Sequence, residues 1–291
     1  MGQEDDVRGL VTLLEANRPT VTLPNGSHYL CYLRGKVKRD NGRIMVGDRV
    51  WIRPTDPGEA IILQVEPRRN QLVRPPVANI DGIFAVFSTS YPKGSLELLD
   101  KRLVLAHLTG CDAEIVLTKS DVSLDPGERE EIARVYKEAG YRVWDLSALT
   151  KRGVDEWLGQ PRQGIWVLSG ESGVGKSFLL QAVLPDSQAV SGDLSRIGRG
   201  QQTTRWVRLY PIQNFWLADT PGYTSLEAVI SSPQDILPTF GEWHEISCRF
   251  ANCQHKSEVG CEVIKAVEEG RVAKWRYRHY RLMLEQWGRR Y

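Results

Sequence analysis

Nowhere in the 291 residues does an apolar run approach the roughly 20 residues a helix needs to cross a bilayer. The opening stretch, residues 1–9, is acidic and has none of the apolar core of a secretion signal. Internal repeats and low-complexity tracts are absent, and no heptad pattern marks a dimer surface. Net charge is almost absent too. Lys and Arg number 38 against 36 Asp and Glu, a formal +2, so a nucleic-acid partner cannot be argued from the total. Cysteines are five, an odd number, and three of them crowd between 248 and 261. That is poor material for a disulfide framework and suits a metal site in a reducing compartment. The expectation is a cytoplasmic monomer without membrane contact.

What is present fits two or three packed domains, with 41% hydrophobic and 25% charged residues. Residues 1–72 read as short strands. The segments 21–23 and 29–32 flank Pro24-Asn25-Gly26-Ser27, a strong hairpin turn, and 49–53 and 61–65 follow. About five strands in that length predict a small β-barrel, with the OB-fold as its form. Lys36, Lys38, Arg39, Arg43, Arg49 and Arg53 offer it a basic face, either for nucleic acid or merely solvated.

From residue 73 the pattern alternates between strands and helices: strands at 80–88, 114–118, 141–146 and 165–169, helices at 95–110 and 128–139. This predicts a doubly wound sheet over 73–231, whose ligands bind at the carboxyl ends of the strands. Residues 232–291 carry the cysteine cluster and then a basic, aromatic helical tail. The whole is a multi-domain α/β protein.

Four motifs lie along the middle region in an unusual order. Gly170-Glu171-Ser172-Gly173-Val174-Gly175-Lys176-Ser177 matches the phosphate loop GxxxxGK[ST]. Its glycines let successive backbone N–H groups turn onto phosphates, Lys176 adds a charge at the β- and γ-phosphates, and Ser177 offers a hydroxyl to Mg²⁺. Thr118-Lys119-Ser120-Asp121 reads as the guanine motif, because a carboxylate at Asp121 can accept both guanine N1–H and its exocyclic amine. Ser147-Ala148 follows at the next strand end. An ATPase is the competing reading. Asp219-Thr220-Pro221-Gly222 closes the set, with Asp219 on Mg²⁺ through water and the Gly222 N–H sensing the γ-phosphate. Thr204, with Thr203 as second choice, is the switch threonine on Mg²⁺. In an ordinary GTPase the guanine motif lies downstream of the phosphate loop. Here it lies upstream, so the chain is a circular permutation of a P-loop GTPase binding GTP or GDP.

Two residue choices bear on turnover. Tyr223 follows Gly222 where many GTPases place a water-orienting Gln, so intrinsic hydrolysis is expected to be slow. Gln202, in the switch stretch, has suitable chemistry to orient the water in its place. With Lys176 and Thr204 it completes the candidate catalytic set. A nucleotide-gated RNA-binding scaffold with negligible turnover is the alternative these departures favour.

Cys248, Cys253, His255 and Cys261 form C-x4-C-x-H-x5-C, a complete donor set for one structural, tetrahedral Zn²⁺. Cys31 and Cys111, in apolar contexts, read as packing residues. From 265 onward the chain has eight Lys or Arg against three Glu. Trp275, Arg276, Tyr277, Arg278, Tyr280 and Arg281 interleave basic and aromatic side chains, a combination that suits RNA or, equally, an amphipathic helix packed on the middle domain.

Barrel, permuted order and metal motif together resemble the ribosome small subunit-dependent GTPase A family of bacteria, over essentially the whole chain. Arg276, Tyr280 and Glu285 in the final helix agree. The resemblance implies a GTPase stimulated by the small ribosomal subunit and its 16S rRNA, bound near the decoding region and acting late in subunit maturation. Where the family usually reads Gly-x-His-Thr-Thr, this chain has Gly200-Gln201-Gln202-Thr203-Thr204. Gln202 can orient a water but cannot act as a base. Thr118 stands where the family usually has Asn, which implies somewhat relaxed guanine selectivity.

Overall fold

The computed structural model describes residues 6–15, 18–33, 43–73, 75–122, 125–184, 207–219 and 232–288. Gln202, Thr203, Thr204, Gly222 and Tyr223 lie outside the described residues, as do Lys36, Lys38 and Arg39. No helix among those described is long and apolar enough to cross a membrane.

Five strands open the chain: β1 (Val7–Glu15), β2 (Arg18–Thr22), β3 (His28–Leu33), β4 (Arg49–Asp56) and β5 (Glu59–Val65). They pair in the order β1-β2-β3-β5-β4, and a β1–β4 pairing closes the ring. Only β3 and β5 run parallel within it. Alternation sets the two faces: β4 turns Val50 and Ile52 inward and Arg49, Trp51 and Arg53 outward. Val11, Val21, Cys31 and Ile62 join them in the barrel core. The turn falls where expected, with Gly26 at φ 85° and Asn25 Oδ1 accepting from Ser27 N at 3.0 Å. Local reading missed β1. A bulge between Val11 and Leu13 breaks its period-2 pattern, because the strand must bend to pair with β2 and β4. Its far end touches the strand Arg208–Ile212 through Leu13 and Arg208, joining barrel and second sheet edge to edge.

The middle region runs β8 (Gly82–Phe87), α1 (Leu96–Thr109), β9 (Asp112–Leu117), α2 (Pro126–Glu138), β10 (Arg142–Asp145), α3 (Val154–Leu158), β11 (Gly164–Ser169), α4 (Lys176–Val183), β12 (Arg208–Ile212) and β13 (Phe215–Asp219). Two short strands, β6 (Gln71–Leu72) and β7 (Val77–Ala78), precede it. The sheet order is β10-β9-β8-β11-β13-β12, parallel except for β12. Every residue of β8 is buried, as a central parallel strand covered on both faces demands. In α1, Ser95 Oγ accepts from Leu98 N and Gly110 ends the helix in the left-handed region. Leu99 and Leu103, facing the sheet, are fully buried, worth roughly 2 kcal/mol each relative to exposure.

The last region has three single 3₁₀ turns (Pro233–Asp235, Leu237–Thr239, Gly241–Trp243) and two helices, α5 (Glu262–Glu268) and α6 (Lys274–Gly288). It packs on α1 through a buried polar knot. Asp100 of α1 accepts from Tyr136 Oη at 2.7 Å and from Arg276 Nη1, and lies 2.6 Å from His279 Nδ1. Arg276 also reaches Glu242 Oε1 at 2.8 Å and Thr239 O at 2.9 Å, with its guanidinium over the Phe240 and Tyr136 rings. Burial alone would depress the Arg276 pKa; Asp100 and Glu242 outweigh it and hold the charge in place. This corrects the RNA reading of Arg276 and Tyr280. Both are fully buried, while Arg278 stays exposed.

Candidate nucleotide site and metal centre

Residues 170–177 run from the carboxyl end of β11 into the first turn of α4. Gly173 and Gly175 have φ of 80° and 101°, a left-handed turn that side chains rarely adopt. A Cβ on Gly173 would lie 2.4 Å from Pro92 Cγ, so the neighbouring loop packs against the bare backbone. Lys176 arches back over its own loop, donating to Gly170 O and Glu171 O at 2.7 Å each. Burial pushes its amine down to about 8. The Arg102 charge adds to that shift, and Asp219 and Glu171 oppose it. An anion here would raise it again. Ser177 sits half-buried in the first turn of α4, at the positive end of the helix dipole. Asp219 is buried at the end of β13, whose Ala218 pairs with Val167 of β11. Ser177 and Asp219 are hard oxygen donors of the kind Mg²⁺ takes.

The guanine motif starts where β9 ends. Thr118 Oγ1 lies 3.1 Å from Phe87 O and 2.5 Å from Val174 O, so one hydroxyl ties β8, β9 and the phosphate loop together. Lys119 is left-handed, at φ 57°, and its Nζ donates to Tyr91 O at 2.9 Å. Asp121 Oδ1 accepts from Ser147 Oγ at 2.6 Å. Ser147 is fully buried, and its hydroxyl accepts from Thr150 N at 3.1 Å. Ala148 is half-buried beside it. Residues 26 apart in sequence therefore meet at neighbouring strand ends, and Ser147 holds one oxygen of the Asp121 carboxylate.

The four metal-motif donors converge. Their ligand atoms all lie within 4.8 Å of one another. Cys248 Sγ is 3.5 Å from His255 Nδ1 and 3.8 Å from Cys261 Sγ, and His255 Nδ1 is 3.4 Å from Cys261 Sγ. A tetrahedron with metal–sulfur arms of about 2.3 Å has edges of about 3.8 Å, so the spacing fits one tetrahedral ion of zinc's size. Without a cation, burial pushes the Cys253 thiol up to about 12.

Several contributing residues escaped local reading. Arg129, on the buried face of α2, caps the end of β9, donating to Leu117 O and Thr118 O at 3.0 Å each, while its Nε reaches Asp145 at 2.7 Å. Glu171 reaches out of the phosphate loop to take Ser95 N at 2.5 Å, at the head of α1. Glu258 braces the metal loop, accepting from the backbone N–H of Gln254, Lys256 and Ser257. Burial works against its charge, and those N–H groups outweigh it, holding the carboxyl at about 2. The only advance signal was Arg129 in register with Ile132, Val135 and Tyr136 on the buried stripe of α2.

Comparison with known proteins gives one answer at both levels. The model of the family described as RsgA GTPase matches residues 65–229. A small ribosomal subunit biogenesis GTPase RsgA from Geobacillus thermodenitrificans is 40% identical over 265 residues, spanning 89% of this chain and 90% of that one. The protein of the same name from Moorella thermoacetica is 37% identical, covering 90% and 91%. Among solved structures, YjeQ from Thermotoga maritima superposes with a TM-score of 0.80 at 33% identity, over 97% of this chain and 99% of its own. YloQ, a circularly permuted GTPase, gives 0.78 at 27% identity over 100% and 98%.

Proposed function

The chain belongs to the RsgA GTPase family, and on that premise we propose that it serves biogenesis of the small ribosomal subunit, as its relatives are named to do. It is a circularly permuted GTP hydrolase. In our reading, the barrel (1–72) and the metal-bearing region (232–291) hold 16S rRNA on either side of the GTPase domain (73–231). Contact with the subunit raises turnover late in maturation, and the protein acts as a cytoplasmic monomer.

We assign the residues the following roles. Lys176, pre-set on its loop carbonyls, neutralises phosphate charge at no cost in rearrangement. The backbone of 170–177 cradles the phosphates, with the α4 dipole behind them. Asp121 and Ser147 read guanine, and the Lys119 stem lies along the base. Ser177 and Asp219, with Thr204, would hold Mg²⁺, which neutralises charge between the β- and γ-phosphates when bound. Gly222 senses the γ-phosphate, and Gln202 orients the attacking water. Cys248, Cys253, His255 and Cys261 hold one structural Zn²⁺ that leaves no open position for chemistry.

The observation that carries this reading is the meeting of Asp121 with Ser147 beside a phosphate loop whose lysine is already in place. The test is GTP and ATP turnover by purified protein, alone and with isolated small subunits. GTP-only turnover that rises steeply with subunits supports the proposal, and Lys176→Ala should abolish it. Turnover indifferent to subunits removes the ribosomal part. Tight GTP binding with no turnover even on subunits would leave a nucleotide-gated RNA-binding scaffold.

A further inference from the structure

Two residues beyond Asp100 on α1 stands Arg102, a charged side chain the phosphate-loop motif does not include. It is 2% exposed, and among the described residues neither its Nε nor its Nη2 has a hydrogen-bond partner. Buried guanidinium groups are normally paired on most of their N–H donors, and Arg276, on the far side of the same helix, shows the ordinary arrangement. The place of Arg102 is defined by its helix neighbours. Leu99 and Leu103 pack with Ala85 and Phe87 at the end of β8. Leu105 and Ala106, a turn further on, pack with Val167 of β11 and Ala218 of β13. Arg102 lies between these two sets of contacts on the sheet-facing side of α1. It is attracted by the charge of Glu171 and repels that of Lys176. Glu171 could neutralise it, yet Glu171 Oε2 is taken by Ser95 N.

We propose that Arg102 is a second, buried cation of the phosphate site, kept short of acceptors so that it balances the negative charge of a nucleotide's terminal phosphates. A position that needed only volume would be better filled by methionine, which carries no charge to desolvate. Two cations beside one loop repel each other, and a bound triphosphate relieves that repulsion more fully than a diphosphate does. Arg102 is in this sense a positioning residue, working through the field at the loop. The proposal rests on the nucleotide reading of that loop.

The experiment compares full-length wild type, Arg102→Met and Arg102→Lys. Thermal unfolding without nucleotide is measured first, then calorimetric affinity for GDP and for a non-hydrolysable GTP analogue, both with Mg²⁺. Arg102→Met should unfold no earlier than wild type. It should bind the GTP analogue at least about ten-fold more weakly, the scale of a unit charge felt across a nanometre or less of partly dry protein, and lose less for GDP. Arg102→Lys should recover most of that loss. Early unfolding of Arg102→Met would make the guanidinium structural and overturn the proposal, as would unchanged affinities or equal losses for the two nucleotides. Wild type failing to bind either nucleotide would remove the nucleotide reading and the proposal with it.

Discussion

Replacing Arg276 with methionine should loosen the C-terminal region, which carries the cysteine cluster, from the GTPase domain, and the size of the effect can be worked out from the contacts. Arg276 and Asp100 both have fully buried side chains. The guanidinium bonds to Asp100, to both oxygens of Glu242 and to Thr239 O. Methionine keeps the stem volume over Phe240 and Tyr136 and removes every one of those donors. Asp100 is then left with Tyr136 and His279, and Glu242 loses its one ion-pair partner among the described residues. Breaking a buried pair from one side costs about 3–5 kcal/mol, chiefly because a charge stays buried without its counter-charge. For a domain of this size that lowers the melting temperature by at least about 6 °C. Asp100→Asn should also destabilise, and the double variant should cost less than the sum of the two by at least about 2 kcal/mol, since it leaves no orphaned carboxylate at Asp100. Denaturant unfolding of all four proteins measures the cycle. Hydrogen exchange should show α6 losing protection before β8. Costs that simply add, or a loss below about 1 kcal/mol for Arg276→Met, would refute the view that this knot holds the two regions together.

Asp121→Ala should erode the preference for GTP over ATP while leaving phosphate-loop affinity for the shared triphosphate, and competition binding with the two nucleotides reads this directly. Thr118→Val removes the hydroxyl between Phe87 O and Val174 O at almost constant volume, costing about 1–3 kcal/mol; weaker GDP binding and a melting temperature lower by a few degrees are the expected result. Elemental analysis should find one zinc per chain, and a strong chelator, or Cys253→Ser, should unfold residues 248–268 while the barrel stays folded by circular dichroism. Glu258→Ala should weaken zinc affinity by about 10-fold or more, as loss of support around a metal loop does, checked by chelator competition.

The parts of this protein that a reader of the bare chain can find are those written in consecutive residues. A phosphate loop is a run of eight because successive backbone N–H groups must face one anion, and glycines are the only residues that let them. The metal motif is legible for the same reason: four donors within fourteen positions can close on one ion without help from distant chain. Ser95 and Gly110 announce α1 because caps act within one turn. Even the permutation is visible, because it is an order of local signals.

What remained hidden depends on partners far away in sequence. Arg276 and Tyr280 look like RNA ligands in a basic, aromatic stretch, and only their packing against Asp100, 176 residues upstream, and against Phe240 makes them core. The bulge in β1 follows from closing a ring of five strands, which no pattern within nine residues can express. Arg102 on α1 is a single basic residue indistinguishable in sequence from a solvated one, and Arg129 at the end of β9 is marked only by its register with the apolar stripe of α2. A charge is read as solvated or buried only when its surroundings are known, because the cost of desolvation and the acceptors that offset it are set by the whole fold. Sequence alone determined the chemistry of the loops and the metal set; tertiary structure decided which charges are locked, which are free, and what each of them faces.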